Sequence, residues 1–220
     1  MKGDLWNYFE NNQGRKIDKW VHHFEIYERY FSKYRNLPVN VLEIGVDHGG
    51  SLQMWKHYFG DTAQIFGLDI NSHCKSLEED RIKIFIGDQG NKEFLRSLKQ
   101  ELPKIHILID DGGHTMSQQI TTFEELFPHI VEDGIYLCED VCTSYWNEFG
   151  GGYKNSNTFI EHSKNLIDYL NAWYSRESET FNVNDFTRSA HSMHYYASVL
   201  VIEKCLMTLP QRCISGKPSF

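Results

Sequence analysis

Residues Ile105 to Tyr145 leave this chain few folds to choose from. Two apolar runs, IHILID and GIYLCED, have the length of buried strands, and a helical pattern lies between them. Strand, helix and strand in that order build a parallel sheet. Each run ends in a carboxylate pair, Asp110-Asp111 and Glu139-Asp140, and His114 follows the first pair closely. In an open α/β sheet functional groups collect beyond the carboxyl ends of the strands, so both pairs are expected to open into one crevice. Hard oxygen ligands of this kind suit Mg²⁺, Mn²⁺ or Ca²⁺. The stretch therefore predicts a metal site with a general base beside it. Acidic pairs at strand ends also serve as helix caps or solvated turns, but two pairs joined through one helix and accompanied by a histidine favour the metal.

The same alternation runs through the rest of the chain. VNVLEIGV is a strand, DHGG a glycine-rich turn, and Ser51 to Phe59 a helix with Ser51 as its cap. Such a turn cradles nucleotide-like ligands. Its glycines at 45, 49 and 50 do not make G-x-G-x-x-G, which argues against a dinucleotide enzyme. QIFGLDI is a second strand ending at Asp69, in the place of the acid that commonly holds ribose hydroxyls. IKIFIGDQ is a third, ending at Asp88-Gln89, with a helix from Asn91 to Gln100. Upstream, Trp20, Phe24, Tyr27 and Phe31 predict a helix from Lys19 to Lys33, ended by Leu37-Pro38. Downstream, TSYWNEFGGGYKNSN reads as a loop over the strand tips, Asn157 to Tyr174 as a helix, and SRESETFNVNDF as a second polar loop. TRSAHSMHYYA and SVLVIEK read as an antiparallel pair, and QRCISGKPSF as a frayed tail. The whole is α/β, a Rossmann-like doubly wound and mostly parallel seven-stranded sheet with an antiparallel last strand.

Composition removes several classes of function. The 220 residues suit one main domain, and 40% hydrophobic content supports a full core. A net charge of -8 without Lys/Arg runs leaves no electrostatic footprint for nucleic acid. No segment has the length of a membrane span, and the N-terminus lacks the apolar core of a signal peptide. Five cysteines with no CxxC pair read as reduced thiols of a cytoplasmic protein. Cys138 and Cys142 flank the second acidic pair, but no second soft-ligand pair exists for zinc.

VLEIGVDHGGSLQMW, GLDI, GDQ, IDDGGH and CEDVCTSYW, in this order, resemble the class I S-adenosylmethionine-dependent O-methyltransferases. The group they resemble most is the metal-dependent sugar O-methyltransferases of macrolide and tetracenomycin biosynthesis, to which cephalosporin-hydroxylase-like proteins are related. The resemblance implies that Glu43, Gly45 and Gly49, with Ser51, form the turn around the amino-acid part of the cofactor, and that Asp69 holds its ribose. Asp88 and Gln89 would face the adenine, with Asp110 near the methionine end. Asp111, Glu139 and Asp140 would bind Mg²⁺ or Mn²⁺, and His114 would act as general base beside Asp111. Asp18-Lys19 and the aromatic helix resemble the family's segment that folds over the cofactor, with Lys19 and Tyr27 in its key places. Tyr145 and Trp146 would form a wall against the sugar. Residues 1–37 are thus expected to cover the cofactor, 38–205 to form the methyltransferase domain, and 206–220 a tail. Motif I begins at Val41, whereas the antibiotic enzymes carry an auxiliary domain before it, so acceptor choice and assembly do not transfer, though a homo-oligomer is expected.

The chemistry expected is methyl transfer to a sugar or glycoside hydroxyl. The ion orients and acidifies a vicinal diol while a neutral imidazole takes the proton. A catechol-like diol acceptor shares these requirements, and a nucleotide-binding module or oxidoreductase is the alternative of another class. His191 and His194 lie on a strand pattern and read as packing or surface residues.

Overall fold

The computed structural model describes residues 3–177 and 179–220. Its centre is one sheet of seven strands: β1 (Asn40–Ile44), β2 (Gln64–Asp69), β3 (Ile82–Ile86), β4 (Ile105–Asp110), β5 (Ile130–Cys138), β6 (Ala190–Tyr196) and β7 (Val199–Lys204). Their order across the sheet is β3-β2-β1-β4-β5-β7-β6. The first five are mutually parallel, and β7 runs antiparallel to both of its neighbours. The aliphatic runs read as strands are buried on both faces, as parallel strands must be when helices cover them.

Helices α1 (Asp4–Glu10), α2 (His23–Phe31) and α3 (Gly50–Phe59) cover one face. Leu5, Phe24, Tyr27, Phe31, Trp55 and Phe59 pack there on Val41, Ile65, Ile107, Ile109 and Leu137. The N-terminal helices therefore share a core with the sheet. The opposite face takes α4 (Lys92–Glu101), α5 (Met116–Leu126) and α6 (Phe159–Leu170), with the short α7 (Asp185–Ser189) at its edge. Leu95, Leu98, Phe123, Leu126 and Phe159 meet Leu42, Leu108, Tyr136 and Leu200 in this second core.

Helix starts follow local chemistry. Asn91 accepts from the Phe94 N–H, Thr115 and Gln118 form a capping box on α5, and Thr158 accepts from the Glu161 N–H. Several expected boundaries move: β5 begins at Ile130 rather than Gly134, α6 ends at Leu170 rather than Tyr174, and three others have specific causes. The helix expected from Lys19 starts at His23, because Lys19 turns inward to three carboxylates and its neighbours leave helical geometry. Ser51 is not the cap of α3. Gly49 caps it in the left-handed region (φ 74°), and the Ser51 hydroxyl donates to Glu43 instead. The strand expected from Thr187 begins at Ala190, since Asn184 and Thr187 form a capping box that starts α7. Residues 206–220 carry no helix or strand and are largely exposed.

Candidate active site at the tips of the parallel strands

Side chains alternate between the faces of a strand, and this rule sorts the acidic residues at the tips. On β4, Leu108 and Asp110 share the face covered by α5, while Ile107 and Ile109 share the face covered by α2 and α3. Asp110 is 1% exposed and accepts from Gln89 Nε2 (3.0 Å) and the Tyr136 hydroxyl (3.3 Å). Burial pushes its carboxyl up to about 7 against those bonds. Asp110, expected near the methionine end of a cofactor, is enclosed in the α5 layer, where it holds the cleft-lining Gln89 and does not itself line the cleft.

Beyond β5, Glu139 turns to the opposite side, toward α2. The Tyr27 hydroxyl donates to its Oε1 at 2.6 Å, Lys19 Nζ donates to the same oxygen at 3.1 Å, and His23 Nδ1 lies 3.1 Å from Oε2. Burial alone would raise the Glu139 carboxyl, but Lys19, His23 and Tyr27 outweigh it and hold it at about 2. Lys19 Nζ also donates to Glu43 Oε1 (3.0 Å) and Asp111 Oδ2 (2.5 Å), with its own side chain only 2% exposed. Burial would lower the lysine pKa, yet Asp111, Glu139 and Glu43 together hold it well above its usual value. One ammonium thus serves three carboxylates, the buried Glu43 and Glu139 and the half-buried Asp111. The shortfall falls on Asp111, whose carboxyl burial and Glu139 push well up although Lys19 pulls the other way.

The other oxygen of Asp111 faces His114. His114 Nε2 lies 3.7 Å from Asp111 Oδ1 and 3.7 Å from Asp140 Oδ2, and one atom from each of the three residues falls within 4.8 Å of the others. His114 and Asp140 both sit in the left-handed region, at φ 56° and 49°. For non-glycine residues this strains the backbone by about 1–3 kcal/mol each, and such strain clusters at working sites. Burial draws the His114 imidazole below its ordinary pKa, against the charges of Asp140 and Glu139. Sequence grouped Asp111, Glu139 and Asp140 around one point. The structure brings one ligand atom each of Asp111, Asp140 and His114 together, and Glu139, which lines the same cleft, is bonded to Lys19, Tyr27 and His23.

This cluster opens into a cleft of about 680 Å³ that also takes in the glycine turn and the ends of β2 and β3. Gly45 allows the close approach of the two strand tips: at φ 93°, a Cβ there would stand 1.9 Å from the Asp111 carbonyl oxygen. Asp69 braces the turn, its Oδ2 accepting from the Val46 (2.8 Å) and Asp47 (3.2 Å) N–H groups. Lys19, Gly45, Ser51, Asp69, Asp88 and Gln89 line the cleft. Tyr27, Glu43, Gly49 and Asp110 stand behind it: Glu43 holds Ser51 and Lys19, Tyr27 holds Glu139, Asp110 holds Gln89, and Gly49 caps α3.

A second cavity, about 510 Å³, lies between Tyr145, α6 and the β6–β7 turn. Tyr145 and Lys164 line it, while the half-exposed Trp146 lines neither cavity and packs on Phe149. His194 is bonded to Ser192 and Glu203, and neither it nor His191 lines either cavity. Sequence reasoning missed Trp20 and Ser198, which both donate to Asp140 Oδ1, at 2.9 and 3.4 Å. Only the position of Trp20 beside Lys19 hinted at its place, and nothing local marked Ser198.

A sheet of this order, with a glycine cradle after its first strand, is the class I methyltransferase fold. The chain is 38% identical over 188 residues to demethylmacrocin O-methyltransferase of Streptomyces fradiae, a match covering 81% of this chain and 47% of that one. It is 38% identical over 190 residues to mycinamicin VI 2''-O-methyltransferase of Micromonospora griseorubida, with the same coverage of both chains. The MycE methyltransferase of the mycinamycin pathway, in complex with Mg and SAH, superposes with a TM-score of 0.84 at 35% identity, over 94% of this chain and 55% of that one. A putative caffeoyl-CoA O-methyltransferase from Staphylococcus aureus, 15% identical with a TM-score of 0.52, shares the fold, covering 91% of this chain and 90% of that one. No family model matches the chain. The chain spans about half the length of the curated relatives it matches. It belongs to the S-adenosylmethionine-dependent sugar O-methyltransferase family that those relatives represent.

Proposed function

We propose that this chain transfers a methyl group from S-adenosylmethionine to a sugar or glycoside hydroxyl with the assistance of Mg²⁺. The convergence of Asp111 Oδ1, Asp140 Oδ2 and His114 Nε2 in the cleft that also holds Gly45 and Asp69 carries this reading. The residues fit both groups. A cleft of about 680 Å³ suits a small-molecule cofactor, and Gly45 leaves its turn open. The donor set is oxygen-rich and short of positive charge, which suits a hard divalent cation.

Asp69 would hold the ribose, and Asp88 and Gln89 the adenine. Asp111 and Asp140 would hold the ion through the oxygens that face His114. Glu139, the third carboxylate of the expected set, lines the same cleft, and its Oε2, which meets only His23, keeps a lone pair for the ion. When bound, the cofactor supplies an electrophilic methyl group and the ion supplies the charge that orients and acidifies a diol. His114 takes the hydroxyl proton at Nε2. Neither of its ring nitrogens makes a hydrogen bond among the described residues, and its lowered pKa keeps it neutral and receptive at pH 7. Residues Lys16 to Val21 line the cleft and would form one wall around the transfer. Tyr145 and the second cavity receive the remainder of the acceptor.

The test is transfer of a methyl group to a panel of glycosides with vicinal diols, read by mass spectrometry with Mg²⁺ and after EDTA. Product that depends on the ion supports the proposal. No methylated glycoside, or undiminished transfer in EDTA, overturns it. Among the described residues no helix is long and apolar enough to cross a membrane. A cytoplasmic homo-oligomer belongs to the same proposal, with light scattering as the check on assembly.

A further inference from the structure

The two carboxylates facing His114 are held in the same way from the same segment. Residues 11–22 connect α1 to α2 without regular structure and pass over the cleft, which Lys16 through Val21 line. Lys19 Nζ holds Asp111 by Oδ2 at 2.5 Å, leaving Oδ1 toward His114. Its neighbour Trp20 holds Asp140 by Oδ1 through the indole N–H at 2.9 Å, leaving Oδ2 toward His114. His22 Nε2 lies 2.9 Å from the Ala197 carbonyl oxygen, tying the segment to the turn from which Ser198 reaches the same Asp140 oxygen. One oxygen of each carboxylate is thus spoken for by adjacent residues of a single strap, and the other is aimed at a common point.

Resting on the function proposed above, we infer that Lys19 and Trp20 are positioning residues for the ion, and that the strap makes ion and cofactor binding mutually reinforcing. A carboxylate with one oxygen anchored loses rotamer freedom before the ion arrives, and partners of this kind are worth about 10–100-fold in metal affinity. The strap that does the anchoring also forms one wall of the cofactor cleft. A ligand that orders this wall orders both anchors, and the linkage is reciprocal. Trp20 is itself 56% exposed, so a hydrogen bond to Asp140, rather than burial, is what its position secures.

The experiment measures Mn²⁺ binding to the full chain from the free-ion signal in electron paramagnetic resonance, with and without S-adenosylhomocysteine. Lys19→Met would strip the cation from the buried Glu43 and Glu139 and the half-buried Asp111 and endanger the fold, so the informative variant is Trp20→Phe, which keeps an aromatic ring and loses the N–H. In the wild type, S-adenosylhomocysteine is expected to tighten Mn²⁺ binding at least about fivefold. Trp20→Phe is expected to weaken Mn²⁺ binding about tenfold and to abolish most of that enhancement, with an unchanged melting temperature. Mn²⁺ affinity in Trp20→Phe within twofold of wild type, or wild-type affinity indifferent to S-adenosylhomocysteine, overturns the inference and leaves the metal site standing. A folded wild type that binds S-adenosylhomocysteine but no Mn²⁺ overturns the metal site and the inference together.

Discussion

Replacing Tyr27 by phenylalanine removes one oxygen atom from a fully buried site, and with it a short bond to Glu139 and a longer contact with His23 Nδ1 at 3.4 Å. That hydroxyl donates to Glu139 Oε1 at 2.6 Å, and Lys19 and His23 at 3.1 Å are the remaining donors on the carboxylate. The ring itself, wedged against Trp55 and Phe31, stays in place, so no cavity of consequence opens. A hydrogen bond to a charged group contributes about 1.5–3 kcal/mol, which sets the expected loss near ~2 kcal/mol. For a chain of this size that lowers the melting temperature by about 4–8 °C. Glu139 adds a pH signature. Its carboxyl is held at about 2 against a usual 4.5, so its contribution is present above about 4.5 and is lost as pH falls through 2. With Tyr27 gone, the acid side of the stability profile should move to higher pH. Urea unfolding of Tyr27→Phe, Glu139→Gln and the double variant between pH 3 and 7 closes a mutant cycle on this pair. Affinity for S-adenosylhomocysteine should stay within a fewfold of wild type, because Tyr27 stands behind the cleft. A stability loss below about 0.5 kcal/mol, the range of indifferent surface changes, would refute the energetic argument. A collapse of cofactor affinity in a folded variant would refute the placement.

Asp110→Asn tests the buried carboxyl in the opposite direction. A folded pKa of about 7 against 3.8 means that stability is fully present below 3.8 and is lost as pH rises through 7. The variant should flatten that part of the profile, by as much as ~4 kcal/mol if the shift acts in full; an unaltered profile in urea titrations would rule the shift out. His114→Ala should lower kcat by about 10²–10⁴-fold with Mn²⁺ and cofactor affinities retained, and near-wild-type turnover would assign the proton to another group. In the wild type the acid limb of the rate profile should fall below the ordinary imidazole value of about 6.5; a limb above it contradicts a base lowered by burial. Gly45→Ala should abolish cofactor binding and destabilise the chain, since its Cβ would meet the Asp111 carbonyl oxygen at 1.9 Å; calorimetry that shows normal binding would remove the turn from the cradle.

Much of this was legible in the residues themselves. Uninterrupted aliphatic runs such as ILI in β4 suit only strands buried on both faces, and the carboxylates that end them can only emerge at the strand tips. The helix expected from Asn91 opens there, with Asn91 as its cap, because a cap is a contact between residues three apart. What no local pattern holds is which helix layer each carboxylate meets. Asp110 meets Gln89 and Tyr136 because α5 covers its face, and Glu139 meets Lys19, His23 and Tyr27 because α2 covers the other. Lys19 decided the most. Its three carboxylates lie 24, 92 and 120 residues away in the chain. The gain from neutralising them in a buried site overrode the helical spacing that begins at Trp20. Local backbone preference is written into neighbouring residues, whereas the electrostatics of a buried charge depends on partners that only the completed sheet brings within reach.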